Sequence, residues 1–270
     1  MMVVFSDLDG TLLDARTYSF APARPALERL TGAGARLVLC SSKTRAEMEV
    51  VRAALGNRHP FIVENGAAAF VPCGYFPFSW DAHRRQEGYD VLEWGVPYAR
   101  LRRAVAAMRE EGLPVTGFGD LSVSDVAGLC GFSEEEAARA RQREYDEPLL
   151  IDGGVAAEER AQAVAGIRGL QLVRGGQFWH LAGPNDKGKA VAALGQLFRR
   201  RWPEARLVGL GDGDNDRPML EAVDVPVLIP SAEGEARLRL PHLRIARDAG
   251  PVGWNQAVLE LLEEVEGRSA

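Results

Sequence analysis

Residues 2–6, MVVFS, form a short apolar run that breaks directly onto two carboxylates, Asp7 and Asp9. A run this short fits a strand buried on both faces better than a helix, and it ends on charge that a dry interior does not tolerate unpaired. The pattern recurs along the chain. RLVLC at 36–40 leads into Ser41-Ser42-Lys43-Thr44, FIV at 61–63 into Glu64-Asn65-Gly66, and LVGL at 207–210 into GDGDND. Helical segments stand between the first three runs: residues 22–33 carry proline in the first turn and Gly34 at the end, and residues 44–55 are closed by Gly56. This alternation predicts an α/β fold with a Rossmann-like, mostly parallel sheet and ligands at the C-terminal ends of its strands.

The rhythm changes in the middle. Residues 73–88 are rich in proline, glycine and aromatics. Residues 97–111 then read as a helix with Tyr98, Leu101, Val105 and Met108 on one stripe, and 133–143 as another opened by a capping box of Ser133 and Glu136. Residues 149–151 read as a strand, and 170–173 with 178–181 as a hairpin turning at Gly175-Gly176. Helices mixed with hairpin strands predict an inserted α+β cap, residues 82–183, in a core formed by 1–81 and 184–270. The earlier rhythm resumes with a helix over 187–202, the strand 207–210, a helix from Pro218, a strand over 225–229 and a closing helix over 252–265.

Composition narrows the partners. Lys plus Arg total 32 against 38 Asp plus Glu, a net charge of -6, which argues against nucleic acid as a partner. Cys40, Cys73 and Cys130 are far apart and belong to no CxxC or Cys/His cluster, so neither a disulfide framework nor a structural zinc site is expected. The first apolar run is too short for a signal peptide and none reaches membrane-spanning length, so a cytoplasmic protein without a membrane partner is expected, as monomer or homodimer. Only Lys43, Lys187 and Lys189 are lysines in an arginine-rich chain, so each invites a chemical reason.

Asp7 and Asp9, one residue apart, repel each other unless a cation or a shared proton compensates. Mg2+ against Asp7 would leave one carboxylate oxygen free to attack phosphorus. Asp9, swung back by the turn at Gly10, would protonate the leaving oxygen and then activate water. A solvated acidic turn is the plain alternative, and the buried strand before DxDGT weighs against it. Ser41 can hydrogen-bond a phosphate oxygen, with Ser42 or Lys43 assisting, while the amides of the next helix face the anion; a simple N-cap is the alternative. Lys187 begins a helix, where positive charge opposes the macrodipole. Ahead of Lys189, it would hold Asp7 ionised and offset charge on a transferring phosphoryl group, the alternative being a solvated basic turn. Asp212 offers a hard cation an oxygen ligand, and Asp216 would orient Lys187 or a metal-bound water. Counted from Asp212, position 12 of a calcium loop is Val223 rather than Glu, which discounts calcium.

In this order, at successive strand ends, the four segments resemble the haloacid dehalogenase-like phosphohydrolases over residues 1–75 and 183–255. The insert looks like the α/β cap of their Cof-type sugar-phosphatase branch. The resemblance implies Asp7 as nucleophile, Asp9 as acid and base, and Ser41, Leu8 and Lys187 as phosphate ligands. It further implies Asp7, Asp9 (through its carbonyl) and Asp212 as Mg2+ ligands, with Asn215 and Asp216 behind them. Within the insert, Arg143-Glu144 with Glu147-Pro148, and Arg174-Gly175-Gly176 with Phe178 and His180-Leu181, resemble the mannosyl-3-phosphoglycerate phosphatase family. That likeness implies a small phosphorylated glycoside as substrate, bound by Asn65, Arg143, Arg174, Gly175, Gly176, Gln177 and His180. Arg143 as a plain helix-end cation and His180 as a satisfied strand residue are the structural alternatives. A broader sugar- or polyol-phosphate phosphatase, a phosphomutase and a non-catalytic sugar-phosphate sensor are the other readings of the whole chain. Gln177 stands where arginine is more usual in the family and Asp214 where proline is.

Overall fold

The computed structural model describes residues 1–175, 177–231 and 238–267. In chain order the elements begin with β1 (Met2–Ser6), α1 (Arg24–Gly32), β2 (Arg36–Cys40), α2 (Arg45–Leu55), β3 (Phe61–Val63) and β4 (Ala68–Pro72). The hairpin β5 (Arg84–Gln86) and β6 (Tyr89–Glu93) precedes α3 (Tyr98–Glu110), β7 (Val115–Gly117), α4 (Val123–Cys130), α5 (Glu134–Ala140) and β8 (Asp146–Ile151). Then come α6 (Gly154–Ile167), β9 (Gln171–Gly175), β10 (Phe178–Ala182), α7 (Lys187–Arg201), β11 (Arg206–Gly211) and α8 (Arg217–Glu221). The chain closes with β12 (Val225–Leu228), β13 (Arg244–Ile245) and α9 (Gly250–Gly267).

Two units emerge. The first comprises Met1–Ser41, Asn57–Leu92 and Asp186–Ala270. Its nine-stranded sheet has the order β13-β12-β11-β1-β2-β3-β4-β6-β5 and is parallel from β13 through β3, with β4 antiparallel to β3. The apolar runs read from the sequence form its centre: Val4 pairs with both Val208 and Leu37. Full burial on both faces explains why these runs carry no polar alternation. Phe5, Phe198 and Trp254 are fully buried, with the rings of Phe5 and Phe198 edge to face at 6.4 Å. The expected core boundary at residue 81 compares with an observed 92, because β5 and β6 extend this sheet at its edge. Their turn places Glu87 and Gly88 at φ 47° and 86°, a mirror-type hairpin turn hidden in sequence by the polar run Arg84-Arg85-Gln86.

The second unit comprises Ser42–Gly56 and Glu93–Asn185. Its sheet has the order β7-β8-β10-β9, with every pairing antiparallel. On one face Leu149, Leu172 and Leu181 pack with Leu101, Val105 and Met108 of α3 and with Ala161, Val164 and Ala165 of α6, burying the α3 stripe expected from its spacing. On the other face Phe178 packs with Phe118, Val126 of α4 and Ala137 of α5, the two phenyl rings edge to face at 4.9 Å. Ser133 and Glu136 form the predicted capping box, Ser133 Oγ accepting from the Glu136 amide. The sequence reading omitted α4 and α6. α6 is alanine-rich and lacks a clear apolar stripe, whereas α4 does carry a legible start, the Ser122/Asp125 box, and a legible stop at Gly131, φ 69°. The hairpin register also differs from expectation. Gly175 pairs with Phe178 and ends the strand instead of occupying the turn, and Gly176 lies outside the described residues.

Candidate active site

The parallel strands deliver their polar segments to one edge of the first unit. Asp7 follows β1, Ser41 follows β2, Glu64-Asn65-Gly66 follows β3 and Asp212 follows β11. Backbone bonds lock the ends together: the Asp7 amide donates to Leu210 O at 2.9 Å, the Ser41 amide to Ile62 O at 3.1 Å and the Asn65 amide to Ser41 O at 3.0 Å. After Asp7 the chain turns tightly, with Leu8 O accepting from the amides of Thr11 and Leu13, and the Leu8 side chain fully buried. Asp9 is half-buried on this turn. Gly10 has φ 78°, and a Cβ there would lie 2.6 Å from Asp212 Oδ2, so the loop can approach that carboxylate only as glycine.

Lys187 is the first residue of α7 and its side chain is fully buried. Its Nζ lies 2.6 Å from Asp7 Oδ1 and 2.6 Å from Asp216 Oδ1. Asp216 uses its other oxygen to accept from the amides of Asp212 and Gly213, at 3.0 and 3.1 Å. Thr11 Oγ1 donates to Asp212 Oδ1 at 3.3 Å. Carboxylate oxygens of Asp7, Asp212 and Asp216 therefore come within 4.8 Å of one another. Asn215 is exposed on the short turn beside them.

Burial, opposed by Lys187 and reinforced by Asp216, Asp212 and Asp9, pushes the Asp7 carboxyl up to about 8. Burial and Asp216 push Asp212 up to about 6, against the pull of Lys187. The two carboxylates hold Lys187 well above its usual range in spite of its desolvation. One ammonium thus faces more negative charge than it balances, and the oxygen-only donor set is the kind that hard divalent cations take. The cluster fits a metal ion.

Three contributors escaped the sequence reading. Trp254 Nε1 donates to Ser6 Oγ at 2.9 Å, and Ser6 Oγ donates to Asp7 O at 2.7 Å, a relay that fixes the backbone of Asp7 from α9. Thr11 adds the contact to Asp212. Their sequence signals are slight: a serine closing an apolar strand and a tryptophan on the buried stripe of a helix.

In the second unit Arg143, Asp146 and His180 come together. His180 Nδ1 lies 2.7 Å from Asp146 Oδ2, and the Arg143 guanidinium lies 3.4 Å from the same oxygen while donating to Ser42 O at 2.9 Å. Arg174 does not join them. It reaches Glu158 on α6 at 2.9 Å and stacks over Trp179, on the sheet face opposite His180. Gln177 is exposed and donates to Leu129 O at 3.1 Å.

Residues 4–73 match the haloacid dehalogenase-like hydrolase family. The chain is 40% identical, over 96% of its length and 97% of the relative's, to the glucosyl-3-phosphoglycerate/mannosyl-3-phosphoglycerate phosphatase of Methanococcoides burtonii. It belongs to the haloacid dehalogenase-like phosphatases. The mannosyl-3-phosphoglycerate phosphatase of Pyrococcus furiosus is 36% identical over 84% of this chain and 90% of that one. The fold is shared with a haloacid dehalogenase-like hydrolase from Bacteroides thetaiotaomicron, at TM-score 0.66 and 17% identity, covering 96% of this chain and 99% of the other. For a phosphatase of this family the acidic cluster around Asp7 is the centre of interest, and the antiparallel sheet carrying His180 is the inserted cap. Among the described residues, no helix is long and apolar enough to cross a membrane.

Proposed function

We propose that this phosphatase hydrolyses mannosyl-3-phosphoglycerate to mannosylglycerate and phosphate in the cytoplasm, with Mg2+ as cofactor and Asp7 as nucleophile. The observation that carries the reading is the buried contact of Lys187 Nζ with Asp7 Oδ1 at 2.6 Å, beside Asp212 and Asp216. The near-full-length relatives named for glycosyl-3-phosphoglycerate substrates supply the substrate. Asp7, Asp212 and the Asp9 carbonyl would hold Mg2+, which would supply positive charge against the phosphoryl oxygens.

The Asp7 carboxylate attacks phosphorus, and the bond from phosphorus to the glycerate oxygen breaks as Asp9 delivers a proton to that oxygen. Asp9 then takes a proton from water, whose oxygen attacks phosphorus and frees Asp7 with release of phosphate. Lys187 opposes the rise that burial imposes on the Asp7 carboxyl and, with Ser41 and the Leu8 amide, holds phosphoryl oxygens. Asp216 orients Lys187 and the loop of Asp212, and Asn215 flanks that loop. Asn65, Arg143, Gly175, Gly176 and His180 bind the glycerate and sugar. Arg174 and Gln177 complete that set, Arg174 requiring release from Glu158 to do so.

The test is phosphate release from mannosyl- and glucosyl-3-phosphoglycerate, simple hexose phosphates and p-nitrophenyl phosphate, with Mg2+ and with chelator. The glycosylated glycerates are expected to give the highest kcat/KM, with chelator and Asp7→Asn each reducing turnover by at least ~10³-fold. Equal efficiency on hexose phosphates points to the broader sugar phosphatase and removes the narrow assignment. Turnover undiminished in Asp7→Asn removes the mechanism.

A further inference from the structure

Asp146 has no role in the scheme above, yet it is 1% exposed and sits at the start of β8 among residues of the glycoside-binding set. Its hydrogen bonding is one-sided. Oδ2 meets both His180 Nδ1, at 2.7 Å, and Arg143, at 3.4 Å, while Oδ1 is buried with no hydrogen-bond partner. A carboxylate serving only to secure the fold would be expected to satisfy both oxygens. Here Oδ2 is shared by the imidazole and the guanidinium, with the shorter contact to the imidazole.

The ring is constrained from a second direction. A Cβ built on Gly175 would fall 2.7 Å from His180 Cδ2 and 2.9 Å from Nε2, so the Cδ2–Nε2 edge of the ring comes close against the backbone of the neighbouring strand, a closeness that a side chain there would obstruct. His180, Gly175 and Val173 share the sheet face of Phe178, where α4 and α5 pack, and Val173 at its edge is 51% exposed. With Nδ1 turned to Asp146 and the side chain 19% exposed, Nε2 is the ring nitrogen left to meet a ligand.

We infer that Asp146 is a positioning residue for sugar recognition. It keeps the proton of neutral His180 on Nδ1, so that Nε2 offers a lone pair to a hydroxyl of the bound glycoside, and Gly175 sets the height of the ring. An acceptor fixed in this way favours polyhydroxylated substrates over phosphate esters lacking a hydroxyl at that position. The inference rests on the glycoside reading and adds to it the group that reads the sugar.

Two variants and two readouts test it on the full-length enzyme. Asp146→Ala removes the acceptor from Nδ1. It is expected to raise KM for mannosyl-3-phosphoglycerate about tenfold or more at nearly constant kcat, while p-nitrophenyl phosphate turnover stays within about twofold. Asp146→Asn, whose amide oxygen can still accept from Nδ1, is expected to recover most of the loss. Nitrogen-15 NMR of His180 is expected to show the proton on Nδ1 in the wild type and a mixed tautomer in Asp146→Ala. Equal losses on both substrates would assign Asp146 a structural role and overturn the inference. A proton found on Nε2 in the wild type would overturn it as well. The tautomer does not depend on the substrate's identity, so a wild type that ignores the glycoside while holding Nδ1–H defeats the glycoside reading alone.

Discussion

Lys187 faces Asp7 and Asp216 at 2.6 Å each with no solvent on its side chain. Removing one member of a buried ion cluster strands the others, which costs about 3–5 kcal/mol in documented cases. Lys187→Met keeps the length of the side chain and removes the charge. Urea unfolding of the metal-free variant should show a loss of about that size, and phosphate release should fall with it. Lys187 was legible because a lysine at a helix start in an arginine-rich chain lacks a structural motive. Asp7, Asp9 and Asp212 were legible for a related reason, since each follows an apolar run whose burial brings it to a strand end. Ser6 and Trp254 were not, because their relay to the Asp7 backbone joins residues 248 positions apart. Asp146 was passed over because sequence cannot tell which of several acidic neighbours an imidazole will meet.

The left-handed turn after β3 decides how the elements around Lys187 fit. Glu64, Asn65 and Gly66 have φ of 44°, 55° and 86° in succession, a conformation unfavourable for the first two. A Cβ on Gly66 would lie 2.1 Å from Asp186 O and 2.6 Å from the Lys187 amide, so this turn is seated directly against the start of α7. Gly66→Ala should push the helix start away and carry the Lys187 ammonium off Asp7. The expected outcome is a kcat reduced at least about tenfold and a melting temperature lowered by several degrees, measured by phosphate release and calorimetry. Glu64-Asn65-Gly66 was read as a polar segment facing ligand, and its second duty as a wedge under α7 appears only in the tertiary contacts. Thr44 and Glu47 capping one end of α2 and Gly56 at φ 62° closing the other made that helix legible, whereas α4 has the same kind of ends and was not read. The edge hairpin β5–β6 was missed because its short strands are polar where they are exposed.

For the molecule as a whole, the alternation of apolar runs and helices was enough to place the parallel sheet, because burial on both faces leaves a signal in each strand. The limits of the insert were less legible, since α2 lies outside residues 82–183 in sequence and yet groups with that unit. The acidic site also sets how global stability depends on pH. The Asp7 and Asp212 carboxyls are pushed up to about 8 and about 6, above the ordinary carboxylate range, so the folded chain holds protons there that the unfolded chain has released. A raised folded value contributes stability that is complete below the unfolded value and is lost as pH climbs through the folded one. In the metal-free protein, stability should therefore decline as pH rises from about 4 to about 8, first through Asp212 and then through Asp7. A divalent cation competes with those protons for the same oxygens, so the stabilisation it confers should grow over the same interval. Melting temperatures in chelator and in excess Mg2+, taken from about pH 5 to about pH 8, should diverge steadily, with the chelated protein falling. Curves that run parallel across this interval would mean that the carboxylates of Asp7 and Asp212 are not where the cation binds.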